Sequence, residues 1–333
     1  MEATENLESN QVVLPSEPQN KKKQSRIRPV IIYPFSQPRS IDGLRVLYEE
    51  IKNLQSDDRY IKPVTIINNQ TKCRCLRNDT DPDIKNAYET AMSTIVVDNI
   101  TDRIETWAVD TCAMWLRGLG DAYEKSKNKQ AFHDVFWLIP GDFNYSTDEG
   151  KKAVKKIREI PENVWMTVSS ICLGEIKVPL NSAKQLIDTY GTYGLLYNWF
   201  PAEAQGIRKR TNKPRTEFFA ISYEFLNSVL IDSRWFAYEQ TLMILLQNMN
   251  GKMPVRNMYK VDLGKITDAE STRSTLSSAI QQVERTERAL KLFWRDKAER
   301  EDRRNWQEEF RFLDAQSESI RTAAMVILRR LLS

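Results

Sequence analysis

One carboxylate and one pair of glycines carry the clearest chemical pattern in the sequence. Asp142 follows the apolar run Asp134-Val135-Phe136-Trp137-Leu138-Ile139-Pro140 and precedes Phe143. A run of that length, rich in aromatic and branched residues, predicts a strand buried on both faces. Asp142 is then delivered to the carboxyl end of a sheet, the edge at which open α/β sheets bind ligands. A carboxylate there can meet a metal ion, a nucleotide and an acceptor, although an aspartate after a strand often serves only as a turn former. Upstream, Arg117-Gly118-Leu119-Gly120-Asp121-Ala122 sets two glycines beside a guanidinium and a carboxylate. Glycine lets backbone approach a ligand, while a pair near a helix end is equally explained by a C-cap.

The elements that must position these groups alternate between strand and helix. Residues 1–27 are polar and lack periodic apolar residues, which predicts a disordered arm; its basic end, Lys21 to Lys23 with Arg26 and Arg28, is suited to an anionic partner or to plain solvation. Order begins with a strand from Arg28 to Tyr33. Ser40 then caps a helix with Leu44, Leu47, Ile51 and Leu54 at steps of three and four. Further strands are expected at Pro63 to Asn69, Ser93 to Asp98, Asp134 to Asp142 and Val164 to Ser169, with helices between them from Asp83, Thr101 and Lys151. This alternation predicts a mainly parallel sheet flanked by helices over residues 28–260. Tyr33 to Ser36, Asn68, Asn69 and Asp98 would then share one sheet edge with Asp142. Later come a helix from Asn181 into the aromatic stretch Tyr190 to Phe200, a cationic loop with Arg208, Lys209, Arg210, Lys213 and Arg215, a segment Phe218 to Leu230, and a helix Trp235 to Met249.

From about Thr267 the composition changes. Leu276, Ile280, Val283, Leu290 and Trp294 recur at helical steps with Glu287 interrupting, and Trp306, Phe310, Leu313, Ile320, Ala324, Ile327 and Leu331 repeat the rhythm. A helical extension over 267–333 follows, as two helices or one bent helix. Its apolar stripe requires a partner, either the globular domain or a second subunit in a homo-oligomer.

Composition excludes several classes. The chain has 333 residues, 41% hydrophobic and 28% charged, and a net charge of +4, which does not call for nucleic acid or a membrane. No run is long enough to span a bilayer, and the start is not signal-like, so a cytoplasmic protein is expected. The four cysteines are too few for a disulfide scaffold, and Cys73 with Cys75 lacks a second cluster to complete a zinc site. A single histidine, His133, leaves little room for hydrolase chemistry.

Two motifs carry a resemblance. Arg117-Gly118-Leu119-Gly120-Asp121-Ala122 stands where one enzyme group has a Gly-Lys-Gly-Asp-Ala type segment, and Phe136 to Asp142 stands where it has an apolar strand ending in Asp-X-Asp. The order of parts from Pro29 to Met249 resembles a GT-A glycosyltransferase, the nucleotide-diphospho-sugar transferase fold. It is similar more narrowly to the enzymes that glycosylate glycerate or phosphoglycerate. Pro140 replaces the first aspartate of the motif and leaves Asp142 alone.

The resemblance implies transfer of a sugar from a nucleotide-diphosphate donor to a small or anionic acceptor, with Mg²⁺ or Mn²⁺ at Asp142. It further implies that Pro34, Phe35 and Ser36 contact the nucleoside, that Asp98 bonds the base or ribose, and that Arg117, Gly118 and Asp121 lie over the diphosphate and sugar. Glu239 would stand near the acceptor or sugar hydroxyls. Tyr193, within the aromatic stretch, is a candidate platform for the acceptor, and Arg208, Arg210 and Arg215 for its anionic group, since guanidinium binds phosphate and carboxylate bidentately. The other reading is a non-catalytic scaffold on a degenerate transferase fold, working through its helical tail.

Overall fold

A computed structural model describes residues 26–33, 38–61, 63–68, 96–97, 118–120, 122–123, 134–165, 170–177, 182–229, 235, 238–250, 257–266 and 276–332. Strand β1 (Ile27–Tyr33) is followed by helix α1 (Pro38–Leu54), then β2 (Val64–Asn68), β3 (Val96–Val97) and β4 (Val135–Pro140). Helices α2 (Asp148–Ile157) and α3 (Glu159–Trp165) precede β5 (Ser170–Ile176). Next come α4 (Ala183–Leu186), a π-helical turn (Ile187–Thr192), α5 (Tyr193–Trp199) and α6 (Pro201–Arg210). Strand β6 (Phe219–Ser222), α7 (Tyr223–Asn227), α8 (Thr241–Asn250) and β7 (Asn257–Gly264) lead to two long helices, α9 (Leu276–Arg300) and α10 (Trp306–Leu332).

The seven strands form one sheet in the order β3-β2-β1-β4-β6-β5-β7. Strands β3, β2, β1 and β4 are mutually parallel, β6 runs antiparallel to both β4 and β5, and β7 is parallel to β5. This is the α/β class expected, with a mainly parallel sheet between helices. Alternate residues of each strand point to opposite faces. Ile27, Ile31, Val135, Trp137 and Ile139 therefore enter one core with α1, α2 and α3, while Val30, Ile32, Phe136 and Leu138 enter the other with the later helices. Every residue of β4 is buried.

The carboxyl ends of β1 and β4 lie side by side, with Ile32 opposite Pro140 and the Gly141 N–H donating to the Ile32 carbonyl at 2.6 Å. The turn after Asp142 is then wedged between two helices. A Cβ on Gly43 of α1 would lie 2.4 Å from the Phe143 carbonyl oxygen, and one on Gly150 of α2 would lie 2.1 Å from the Asn144 carbonyl oxygen. The Tyr145 hydroxyl donates back to the Pro140 carbonyl at 2.5 Å. Thr147 caps α2 by accepting from the Gly150 N–H.

Several boundaries differ from the sequence reading. The arm does not extend to residue 27: Ile27 is fully buried in β1, Arg26 pairs with the buried Asp134 at 3.1 Å, and Arg28 is itself buried. Arg26 thus ties the start of β1 to Asp134 before β4, and Arg28 is carried into the sheet within β1. Helix α1 starts at Pro38, so Ser40 lies inside it and does not cap it.

The strand expected at Val164 to Ser169 overlaps α3, whose Ile160 and Val164 share a buried face; Pro161 is tolerated there because the first turn has no use for its missing N–H. The strand is instead β5, and burial pushes its Cys172 thiol up to about 12. The helix from Trp235 begins only at Thr241.

Strand β7 crosses the expected boundary at residue 260. The apolar stripe of α9 is covered by the globular domain: Ala279, Val283, Leu290, Phe293 and Trp294 belong to the same core as the sheet. The helices expected from Asp83 and Thr101, along with His133, Cys73, Cys75 and Cys112, lie outside the described residues.

The glycine contacts make a prediction about the turn that carries Asp142. Alanine at position 150 would gain at most about 1 kcal/mol of helix propensity. Driving a methyl into backbone costs about 1–3 kcal/mol or more. Gly150→Ala is expected to be net destabilising in urea unfolding, and an unchanged or raised midpoint would contradict the wedge.

Candidate functional site

The parallel register fixes what can stand at the carboxyl edge. Asp142 leaves β4 half-buried, next to the end of β1. Strand β6 is antiparallel, so the segment entering it, Thr211 to Phe218, crosses the same edge, and Glu175 near the end of β5 joins it there.

Hydroxyls pin that segment. Thr216 donates to the Gly174 carbonyl at 2.5 Å, Thr241 to the Thr216 carbonyl at 2.6 Å, and Thr211 to Glu175 at 2.6 Å. Tyr193 donates to the Thr211 carbonyl at 2.5 Å, and its ring lies beneath the Arg208 guanidinium at 4.7 Å. Burial pushes the Tyr193 phenol up from its ordinary value.

Behind the segment is a buried charge cluster. The Arg215 Nε donates to Glu239 at 2.8 Å, Arg285 of α9 donates to the same oxygen at 3.0 Å, and the Thr286 hydroxyl lies 3.3 Å from it. A second Arg215 nitrogen donates to Gln282 at 3.1 Å, and the third lies 4.0 Å from Asp188. Lys213 donates to Gln185 at 2.6 Å and sits 3.8 Å from Asp188.

Asp188 and Glu239 are each less than a tenth exposed. Burial works against the Glu239 charge, but the Arg215 and Arg285 guanidiniums outweigh it and hold its carboxyl below the ordinary 4.5. Asp188 comes from the π-helical turn, where the Tyr193 N–H reaches the Asp188 carbonyl five residues back; the wider turn changes which residues the helix faces inward.

These placements revise part of the expected site. Glu239 is 4% exposed and lies between two arginines as their buried counter-ion. Arg215 is turned inward, bonded to Glu239 and Gln282 and 4.0 Å from Asp188. Tyr193 is core: its ring and hydroxyl are both engaged, while Tyr190 and Tyr197 are the exposed aromatic residues of that stretch.

The expected cationic loop is in its first half helical. Arg208, Lys209 and Arg210 form the exposed last turn of α6, where cations complement the helix dipole, and Arg210 also reaches the Met249 sulfur. Gly118 is buried in a helical turn beside Leu119, a core residue, and does not open a glycine loop. Pro34, Phe35, Ser36, Asp98, Arg117 and Asp121 lie outside the described residues.

Sequence reasoning missed Asp188, Gln282 and Arg285. The available signal for the α9 pair was polar residues recurring beside Glu287 within an apolar helix; Asp188 carried no signal before the π turn was seen.

No protein-family model matches the chain, and no curated protein matches it. Among solved structures, the chain is similar to mannosyl-3-phosphoglycerate synthase from Rubrobacter xylanophilus, with 13% identity over 82% of this chain and 75% of that one at a TM-score of 0.47. The M. tuberculosis glucosyl-3-phosphoglycerate synthase shows 10% identity over 78% of this chain and 77% of that one, with a TM-score of 0.46. A mycobacterial protein shows 12% identity over 80% and 75%, also with a TM-score of 0.46.

The cluster predicts an acid-sensitive contribution to stability. A carboxyl whose folded pKa is depressed stabilises above its unfolded value, here 4.5, and that contribution is lost as pH falls below it through the folded value. Glu239→Gln strands two arginines, and breaking such a buried pair costs about 3–5 kcal/mol. In urea unfolding the gap between wild type and variant should be widest at neutral pH and shrink below pH 4.5; a pH-independent gap would refute the role.

Proposed function

We propose that the chain is a glycosyltransferase that moves a sugar from a nucleotide-diphosphate donor to a small or anionic acceptor, with Mg²⁺ or Mn²⁺ as its divalent cofactor. The observation that carries this reading is the register of β1 against β4, which places the turn bearing Asp142 beside the end of the first strand. Backbone and hydroxyl bonds hold that turn, so the carboxylate is presented by a rigid support. In sugar transfer the diphosphate leaves with growing negative charge while the sugar gains oxocarbenium character.

The residues present fit a cation only of a particular kind. Among the described residues no three His, Cys, Asp or Glu side chains come together, so those residues alone offer no closed cage. Mg²⁺ commonly takes one or two carboxylates, with waters and substrate phosphates completing its shell. Asp142 suits an ion that arrives with the diphosphate, which when bound would neutralise the charge growing on the leaving group. The chain's own residues do the rest. Asp142 orients, the Thr211 to Phe218 segment walls one side of the edge, and the exposed Arg208 and Arg210 attract an anionic acceptor.

Pro140 favours a second reading, a non-catalytic scaffold on the same fold, since it removes one carboxylate from the expected motif. The two readings separate in one experiment. Mg²⁺ or Mn²⁺ alone should leave the melting temperature unchanged, whereas a nucleoside diphosphate with the cation should raise it, by about 2.7 kcal/mol of stabilisation at a hundredfold excess over Kd. Asp142→Ala should abolish the cation-dependent part and lower any transfer rate by on the order of a hundredfold. No shift with any common nucleoside diphosphate would sink the transferase reading and leave the scaffold.

A further inference from the structure

Helix α10 presents two faces, and the fold uses one. Ser317, Ala324 and Leu328 are buried and Leu313 and Ile320 pack against the core. The Trp199 indole N–H donates to the Ser317 hydroxyl at 3.2 Å and the Asn198 amide to the Leu313 carbonyl at 2.9 Å. The inward stripe read from the sequence is thus covered by the protein's own domain.

The opposite face carries a second stripe. Glu308, Phe312, Ala315, Ser319, Ala323, Val326 and Arg330 recur at steps of three and four and are all exposed, Phe312 at 63% and Val326 at 43%. Exposed apolar side chains are ordinary when scattered, but Phe312, Ala315, Ala323 and Val326 are aligned along about 21 Å of one helix.

We propose that this face is the interface of a homodimer in which α10 packs antiparallel against α10 of a second copy, with the two-fold axis at Ser319. The stripe is self-complementary about that residue. Phe312 and Val326 stand seven residues to either side of it, Ala315 and Ala323 four, and Glu308 and Arg330 eleven. Antiparallel pairing therefore sets Phe312 against Val326 of the other copy, alanine against alanine, and Glu308 against Arg330, twice over. That is the isologous pattern of a two-fold contact.

Small residues at the centre let the helix axes approach closely. The charges agree at the two positions that the register joins. Glu308 and Glu309 stand eleven and ten residues before Ser319, Arg330 and Arg329 eleven and ten after it, with Arg311 exposed beside them and Glu318 next to the axis. Antiparallel packing joins acid to base at both ends, and parallel packing would oppose like charges.

One helix per copy buries an area at the low end for a specific complex, so the dimer should dissociate on dilution within about 1–100 µM, the weaker end of the range such interfaces span. Sedimentation of the full chain over that range tests it, with circular dichroism to confirm folding. Wild type should self-associate.

Glu308→Arg alone and Arg330→Glu alone should each weaken association by about tenfold or more, because both ion pairs become repulsive. An equimolar mixture of the two variants should regain a dimer. In the mixed pair the arginine introduced at position 308 of one copy meets the glutamate introduced at position 330 of the other, and the native Arg330 of the first meets the native Glu308 of the second. A wild-type chain that stays monomeric throughout, including one whose face is covered by its own first 25 residues and dimerises only on their removal, overturns the proposal. So does a mixture no more associated than either variant.

Discussion

The whole arrangement depends on β4 being apolar on both faces. A strand whose every side chain is buried cannot carry a polar group along its length, because a charge there would meet no water. It can offer one only where it ends. Pro140 closes the run, Gly141 bonds back to β1, and Asp142 is the first side chain beyond the double burial. Helices on both sides are the other consequence, since each face of the strand must be covered, and two of them come so near the following turn that only glycine fits at the contact.

The second organising feature is a set of charges taken out of water. Glu239 and Asp188 are buried against Lys213, Arg215 and Arg285. A buried carboxylate is tolerated only with close cations and hydrogen bonds. The cations come from two distant places, the segment before β6 and helix α9, which makes the late helix a structural member of the sheet domain. A similar knot lies further along. Glu287, the interruption in the apolar rhythm of α9, is 3% exposed and meets Lys291 at 2.9 Å, Arg321 at 3.4 Å and the Ser317 hydroxyl at 2.8 Å. It joins α9 to α10. Burial opposes the charge of Lys291, but Asp314 and Glu287 overcome it and raise its pKa.

The edge and the helices then divide the work. The edge is held from behind by groups bonded among themselves, with Asp142 half-buried at the turn after β4 and the last turn of α6 exposed. Support of that kind is what holds side chains at a sheet edge in one geometry. The outer face of α10 belongs to another level of organisation, being a surface whose residues match their own reversed order.

Much of the frame was legible from residues alone. The period of the apolar residues marked β1, α1, β4, α9 and α10, because burial imposes a repeat of two on strands and near 3.6 on helices. The apolar run before Asp142 marked a doubly buried strand. The alternation of Tyr259, Val261 and Leu263 with polar neighbours fits β7 in the same way. Other matters lay beyond local pattern. An arginine before a strand looks the same whether it faces an acceptor or a buried glutamate far along the chain, and only tertiary packing turned Arg215 inward. The residues that could be charged, apolar or at an edge were decided by sequence; which of them meet, and therefore which remain available for chemistry, was decided by contacts between segments far apart along the chain, because a charge's role depends on its partner and not on its own spacing.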